Sequence, residues 1–257
     1  MIRNVAKGDE SRVNEVIDLL KNHRSIRKFK DQPLSRDQVE TIVSAAQSAS
    51  TSSFIQAYSI IGISNQDKKK QLAELAGGQS YVEKNGYFLI FCADYHRHSL
   101  AGDIEGVNID RNLESMETFM IALIDTALAA QNAAIAAESM NLGICYIGGI
   151  RNNIEKVSEL LNLPDRVIPL FGMAIGYPEA DSALKPRLPL KAVFHENEYE
   201  DKQTELEAYN EIISAYYAER TNGARQDRWT EQVIGMLTSK QREFMMDFIK
   251  SKHFALK

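Results

Sequence analysis

Cysteine is scarce: the 257 residues contain two, Cys92 and Cys145. Each lies inside an apolar run, without metal-type spacing and without the basic surroundings that activate a thiolate. They read as reduced packing residues, not as a disulfide. No export signal is visible, since Met1 to Glu10 is polar and lacks an apolar core, and a cytoplasmic location is therefore expected. Charge of one sign is not in large excess. A net charge of −5 attracts neither nucleic acid nor an anionic membrane, so an anionic ligand needs a local cationic site.

Several catalytic signatures are absent as well. No strand leads into G-x-G-x-x-G, which argues against a dinucleotide-binding Rossmann site. There is no G-x-x-x-x-G-K-[ST] loop for ATP phosphates, no G-x-S-x-G elbow and no H-E-x-x-H. His96 and His98 stand near Asp94 and Asp103, but a metal would need two further placed ligands. An ordinary polar turn is expected there, with no metal. An enzyme so lacking in its own reactive groups would rely on an organic cofactor. No internal repeat, low-complexity tract or long linker divides the chain. One domain over residues 1–257 is expected, with a helical C-terminal extension from about residue 200 to 257.

What is present starts with His23-Arg24-Ser25-Ile26-Arg27, which follows a helical stripe of Val13, Ile17 and Leu20. Such a cluster suits an anion, although a basic helix end answering the dipole is the plainer reading. Ser35 and Gln38 have capping-box spacing ahead of a helix that carries Val39, Ile42, Val43 and Ala46. The hydroxyl run Ser50-Thr51-Ser52-Ser53 reads first as a linker. Tyr58–Ile63 and Tyr87–Ala93 read as strands, with a helix over Gln66–Ala76 between them that Gly77-Gly78 stops.

Thr118–Met140 gives the longest helical signal, apolar on nearly every side. Asp125, Gln131 and Asn132 near its middle argue for a core helix and against a membrane span. Ile144–Ile147 is a short strand ending at Gly148-Gly149, a pair that fits either a close ligand approach or a tight turn. A helix over Asn153–Leu161 and a strand over Val167–Ile175 follow. A second basic island, Lys185-Pro186-Arg187, lies between stiffening prolines. Helices from Leu206 and over Ser239–Lys252 finish the chain, and the segment between carries Arg220, Arg225 and Arg228.

Taken in order, several pieces resemble the bacterial nitroreductase family, in its NADPH-preferring, oxygen-insensitive branch. They are His23 to Arg27, Ser50 to Ser53 with Gln56, Gly77-Gly78-Gln79, Ala130-Gln131-Asn132, and Ala136 to Ser139. Tyr146 to Gly149, Arg151-Asn152, Lys185 to Pro189, His195 to Asn197 and Tyr216-Tyr217 complete the set. Thr51 departs from the pattern, in which the hydroxyl run is usually all serine.

The resemblance implies an α+β fold, an α/β/α sandwich with a mixed central sheet and a C-terminal helical excursion. It implies a homodimer holding FMN and drawing electrons from NADPH. Two electrons would pass by a ping-pong mechanism to nitroaromatics, quinones or free flavin; a non-catalytic flavin sensor or storage protein is the alternative. His23, Arg24, Ser25, Ile26, Arg27, Thr51, Gln79, Tyr146, Ile147, Gly148, Gly149, Lys185, Pro186 and Arg187 would bind the cofactor. Arg27, Lys185 and Arg187 would face its phosphate, and Arg24 the charge of the reduced ring. Arg220 and Arg225 would read the 2′-phosphate of NADPH.

Overall fold

The computed structural model describes residues 10–180, 182–239 and 242–256. The chain forms two compact units. One comprises the chain up to Ser182 and the segment from Phe244; the other runs from Ala183 to Glu243.

The first unit begins with α1 (Glu10–Lys21) and α2 (Arg36–Gln47), then a 3-10 turn at Ser52–Phe54. Next come β1 (Tyr58–Ile63), α3 (Gln66–Leu75), α4 (Ser80–Glu83), β2 (Tyr87–Asp94), α5 (His96–Glu105) and α6 (Asp110–Leu113). The long helix α7 (Met116–Ser139) leads into β3 (Gly143–Ile147), a 3-10 segment (Gly148–Asn153), α8 (Ile154–Leu160) and β4 (Val167–Gly176). The second unit holds α9 (Leu190–Val193), α10 (Gln203–Arg220) and α11 (Trp229–Leu237). Finally, α12 (Met245–Ser251) belongs to the first unit.

The four strands form one sheet in the order β1-β2-β4-β3, and every named pair is antiparallel. A parallel relation occurs at the isolated bridge Ser25–Ile144. Side chains alternate across the sheet, as strand geometry requires. Phe88, Ile90 and Cys92 of β2 pack on one face with Leu72, Ala76 and Val82. Leu89 and Phe91 pack on the other with Ile42, Ala46 and the alanines of α7. Helices thus cover both faces, giving the expected sandwich. Burial raises the pKa of both thiols, consistent with packing roles for Cys92 and Cys145.

Local chemistry accounts for the helix ends. Ser35 and Gln38 form the expected capping box: Gln38 N donates to Ser35 Oγ (3.2 Å), and Ser35 N to Gln38 Oε1 (3.0 Å). Gly77 (φ +95°) and Gly78 (φ +74°) stop α3 in a conformation that side chains disfavour. The long helix α7 is apolar and long enough to cross a membrane. Its Ala129, Ala130, Ala133, Ala134 and Ala137 are instead buried in the core.

Three segments differ from expectation. His96 and His98 open helix α5 instead of lying in a turn. The C-terminal helix begins at Met245, not near Ser239, and Trp229–Leu237 forms a separate helix. The hydroxyl run is no slack linker: Ser53, Phe54 and Gln56 have positive φ (48°, 60° and 58°). Side-chain hydrogen bonds hold this strained backbone. Fully buried Asp125 accepts from Ser52 N (2.9 Å) and Ala57 N (3.1 Å). From α5, His98 Nε2 donates to Ile55 O (2.8 Å), and Arg97 Nη1 reaches Gln56 O and Tyr58 O at 3.4 Å each.

Replacing Asp125 by Ala strands two backbone donors, and should destabilise the protein by roughly 2–5 kcal/mol in urea unfolding. Asp125→Asn, which keeps one acceptor, should lose about half as much. A loss below about 1 kcal/mol for the alanine variant would show that the loop does not depend on this carboxylate.

Candidate functional site

At one edge of the sheet, the His23–Arg27 segment runs beside β3. Ile26 N donates to Ile144 O (2.9 Å), and Ile26 is buried. Gly143 makes the approach possible, because a Cβ there would lie 2.6 Å from Ile26 Cγ1. Side chains alternate from this anchor. Ser25 and Arg27 lie near the Cys145 thiol, while His23 Nδ1 bonds to Glu138 Oε1 of α7 at 2.6 Å. The carboxylate accepts, so the proton is on Nδ1 and Nε2 is left for another partner.

Beyond β3, Tyr146 sets its ring edge-on to Phe171, with centroids 5.6 Å apart. Burial raises the pKa of its phenol. Ile147 is buried, and Gly148-Gly149 begin the 3-10 segment without positive φ. The need for glycine at 149 is one of space: a Cβ there would run into the Ala76 carbonyl oxygen and lie 3.1 Å from Gln79 Nε2. The Gly77-Gly78-Gln79 turn therefore touches the Gly148-Gly149 backbone. Asn152 Nδ2 and Asn153 Nδ2 reinforce the junction by donating to Ala76 O (3.2 Å) and Leu75 O (2.8 Å) at the end of α3.

Three expected segments thus converge: His23–Arg27, Gly77–Gln79 and Tyr146–Gly149. Thr51 does not join them within one chain. Its loop is bound to Asp125, whereas His23 is bound to Glu138, about 20 Å further along α7 at 1.5 Å per residue.

The other cations belong to the second unit. Lys185 Nζ donates to the Tyr217 hydroxyl (2.9 Å), and this bond lowers the Tyr217 pKa below the usual tyrosine range. Tyr209 fixes the intervening backbone by donating to Pro186 O (2.7 Å). Arg187 is exposed and, like Arg27 and Lys185, has no ion-pair partner among the described residues. Arg220 donates to the Tyr216 hydroxyl (2.9 Å), and the Arg225 guanidinium lies 4.4 Å from the centroid of the Tyr217 ring.

The sequence showed Asp125, Glu138, Asn152, Asn153 and Tyr217, but not that they support these residues. An acid inside an alanine-rich helix is the one readable sign, and it marks both Asp125 and Glu138. Among the described residues no cluster of His, Cys, Asp or Glu could hold a metal.

Comparison with known proteins places the chain in a family. The profile of the nitroreductase family matches residues 20–177, and that of the nitroreductase family C-terminal domain matches residues 185–257. The chain is 52% identical over 246 residues to the FMN reductase (NADPH) of Bacillus subtilis (strain 168), covering 94% of this chain and 99% of that protein. Among solved structures, B. megaterium NfrA1 superposes with a TM-score of 0.93 at 56% identity, covering 94% of this chain and all of that one. The NADPH:FMN oxidoreductase from Vibrio harveyi, complexed with NAD+, superposes with a TM-score of 0.87 at 37% identity, covering 95% and 100%. The match to both profiles and the full-length likeness to these proteins have one meaning: the chain belongs to the nitroreductase family.

Proposed function

We propose that the protein is an FMN-dependent NADPH oxidoreductase that delivers two electrons by a ping-pong mechanism to nitroaromatics, quinones or free flavin. The convergence of His23–Arg27, Gly77–Gln79 and Tyr146–Gly149 carries this reading. Such a surface offers groups that a flavin needs: hydrogen-bonding side chains at His23, Ser25 and Gln79, and a cation at Arg27. The relatives' names point the same way, to FMN and NADPH.

When bound, FMN supplies the two-electron chemistry. The chain supplies binding and orientation. Arg27, Lys185 and Arg187 would neutralise the phosphate, each charge-assisted bond contributing about 1.5–3 kcal/mol. Glu138 holds His23 through Nδ1, and Nε2 would serve the ligand. Ser25, Ile26, Gln79 and the backbone from Tyr146 to Gly149 would border the ribityl chain and ring. Arg24 is the cation assigned to the negative charge of the reduced ring. Arg220 and Arg225 would read the donor's 2′-phosphate. Cytoplasmic action fits two buried, unpaired cysteines.

A homodimer completes this reading. Met116, Met120, Ile124 and Leu128 make a stripe along α7 at four-residue spacing, each 44–50% exposed. Val16, Ile17 and Leu20 of the adjoining α1 are likewise exposed. An apolar surface of this kind suits a protein partner. A second copy would also bring its Thr51 loop within reach of a ligand that one chain's Thr51 cannot share with its own His23.

Initial rates over a grid of NADPH and quinone concentrations should give parallel double-reciprocal lines; intersecting lines would contradict the ping-pong scheme. Lys185→Ala/Arg187→Ala should fold but purify largely colourless, and full flavin occupancy would refute the phosphate assignment. Ile124→Asp should shift the protein towards monomer in light scattering, with loss of FMN. A flavin-loaded, active monomer would overturn the dimer proposal.

A further inference from the structure

The segment after α10 is folded tightly back. Gly223, at φ +84°, donates its N–H to Ala218 O (2.7 Å), and Arg225 N donates to Thr221 Oγ1 (2.9 Å). Thr221 Oγ1 donates in turn to Tyr217 O (2.6 Å). This return lays the Arg225 guanidinium on the Tyr217 ring and leaves its N–H edge open. Asp227, two residues on, fills that edge: Nε and Nη2 of Arg225 lie 2.7 and 2.5 Å from Asp227 Oδ2. Arg220 is different, since it meets the Tyr216 hydroxyl and ring and no carboxylate among the described residues.

A carboxylate on the Nε/Nη2 edge of a guanidinium takes the donors that two phosphate oxygens would take. We propose that Asp227 is an internal stand-in for the donor's 2′-phosphate, competing with it for Arg225 and holding NADPH affinity below what the arginine would otherwise give. This inference rests on the assignment of Arg225 to the 2′-phosphate. The Arg225–Asp227 pair is half-exposed, at 52% and 41%, so water screens it and a phosphate monoester with more charge displaces it. Once the nicotinamide has reacted, Asp227 reclaims Arg225 and speeds departure of the spent donor. A ping-pong cycle needs that vacancy, because the acceptor uses the same place. Asp227 is therefore a specificity-determining residue that acts through Arg225.

The test uses the FMN-loaded protein. Calorimetry measures the binding of adenosine 2′,5′-bisphosphate and adenosine 5′-monophosphate, and steady-state kinetics give KM for NADPH and NADH. Asp227→Asn should tighten the bisphosphate and lower the NADPH KM by about twofold to fivefold, the range set by an exposed ion pair. The monophosphate and NADH should not change, and the gain should vanish in an Arg225→Ala background. Glu231→Gln, which removes equal charge from the exposed Arg228–Glu231 pair of the same unit, should give no such gain. No change or weaker binding with Asp227→Asn overturns the proposal. So does an equal gain for NADH or with Glu231→Gln, since either would reflect general charge. If Arg225→Ala alone leaves bisphosphate binding intact, the phosphate assignment itself falls; if it weakens binding while Asp227→Asn is neutral, only the stand-in falls.

Discussion

The alanine face of α7 lies flat against the sheet, and the placement of the candidate site follows from that contact. Ala129, Ala130, Ala133, Ala134 and Ala137 are fully buried beside Leu89, Phe91, Ile144 and Met173. Short side chains let the helix approach closely, as interior packing density demands. Because the helix is so placed, its few polar residues serve as anchors. Asp125 grips the strained loop at Ser52–Ala57, Asn132 Nδ2 donates to Ala45 O at the end of α2 (3.2 Å), and Glu138 orients His23. One core helix thus sets the positions of two segments assigned to the cofactor, about 20 Å apart. That separation is what the proposed homodimer would bridge.

Much of this was legible in the sequence because the relevant rules are local. The capping box at Ser35, the glycine stop after α3 and the alternation in β2 depend on residues a few positions apart, and each appears where expected. The helix over His96–Glu105 was not legible: it has charges and histidines on several sides, and only Gly102 of its length is buried. The strained loop was missed for a related reason. Its shape is imposed by Asp125, Arg97 and His98 from distant parts of the chain, whereas a run of serines favours no fixed conformation by itself. At the site, the residue types were readable and their supports were not. Nothing in His23-Arg24-Ser25-Ile26-Arg27 shows that Glu138 will meet the histidine from 115 positions away.

The second unit depends on aromatic rings where the first depends on alanine. Tyr209, Ile213 and Tyr217 form its small core with Leu188, Tyr216 and Trp229. Tyr217 holds Lys185 by its hydroxyl and carries Arg225 on its ring face. The cation assigned to the cofactor phosphate and the one assigned to the donor phosphate therefore rest on the same side chain. A hydrogen bond and cation–π contacts hold the lysine and the arginine against one tyrosine. Lys185 has no carboxylate partner among the described residues, whereas Arg225 is paired with Asp227, in a protein whose net charge is −5.

In the proposed cycle these residues hold a flavin which NADPH reduces and a second substrate reoxidises. Anaerobic mixing of the purified protein with NADPH, followed by visible absorbance, tests it most directly. The expected result is a yellow protein that bleaches on the timescale of turnover and regains its colour when a quinone or nitroaromatic is added. A protein that takes up no FMN, or whose flavin stays oxidised in excess NADPH, would contradict it.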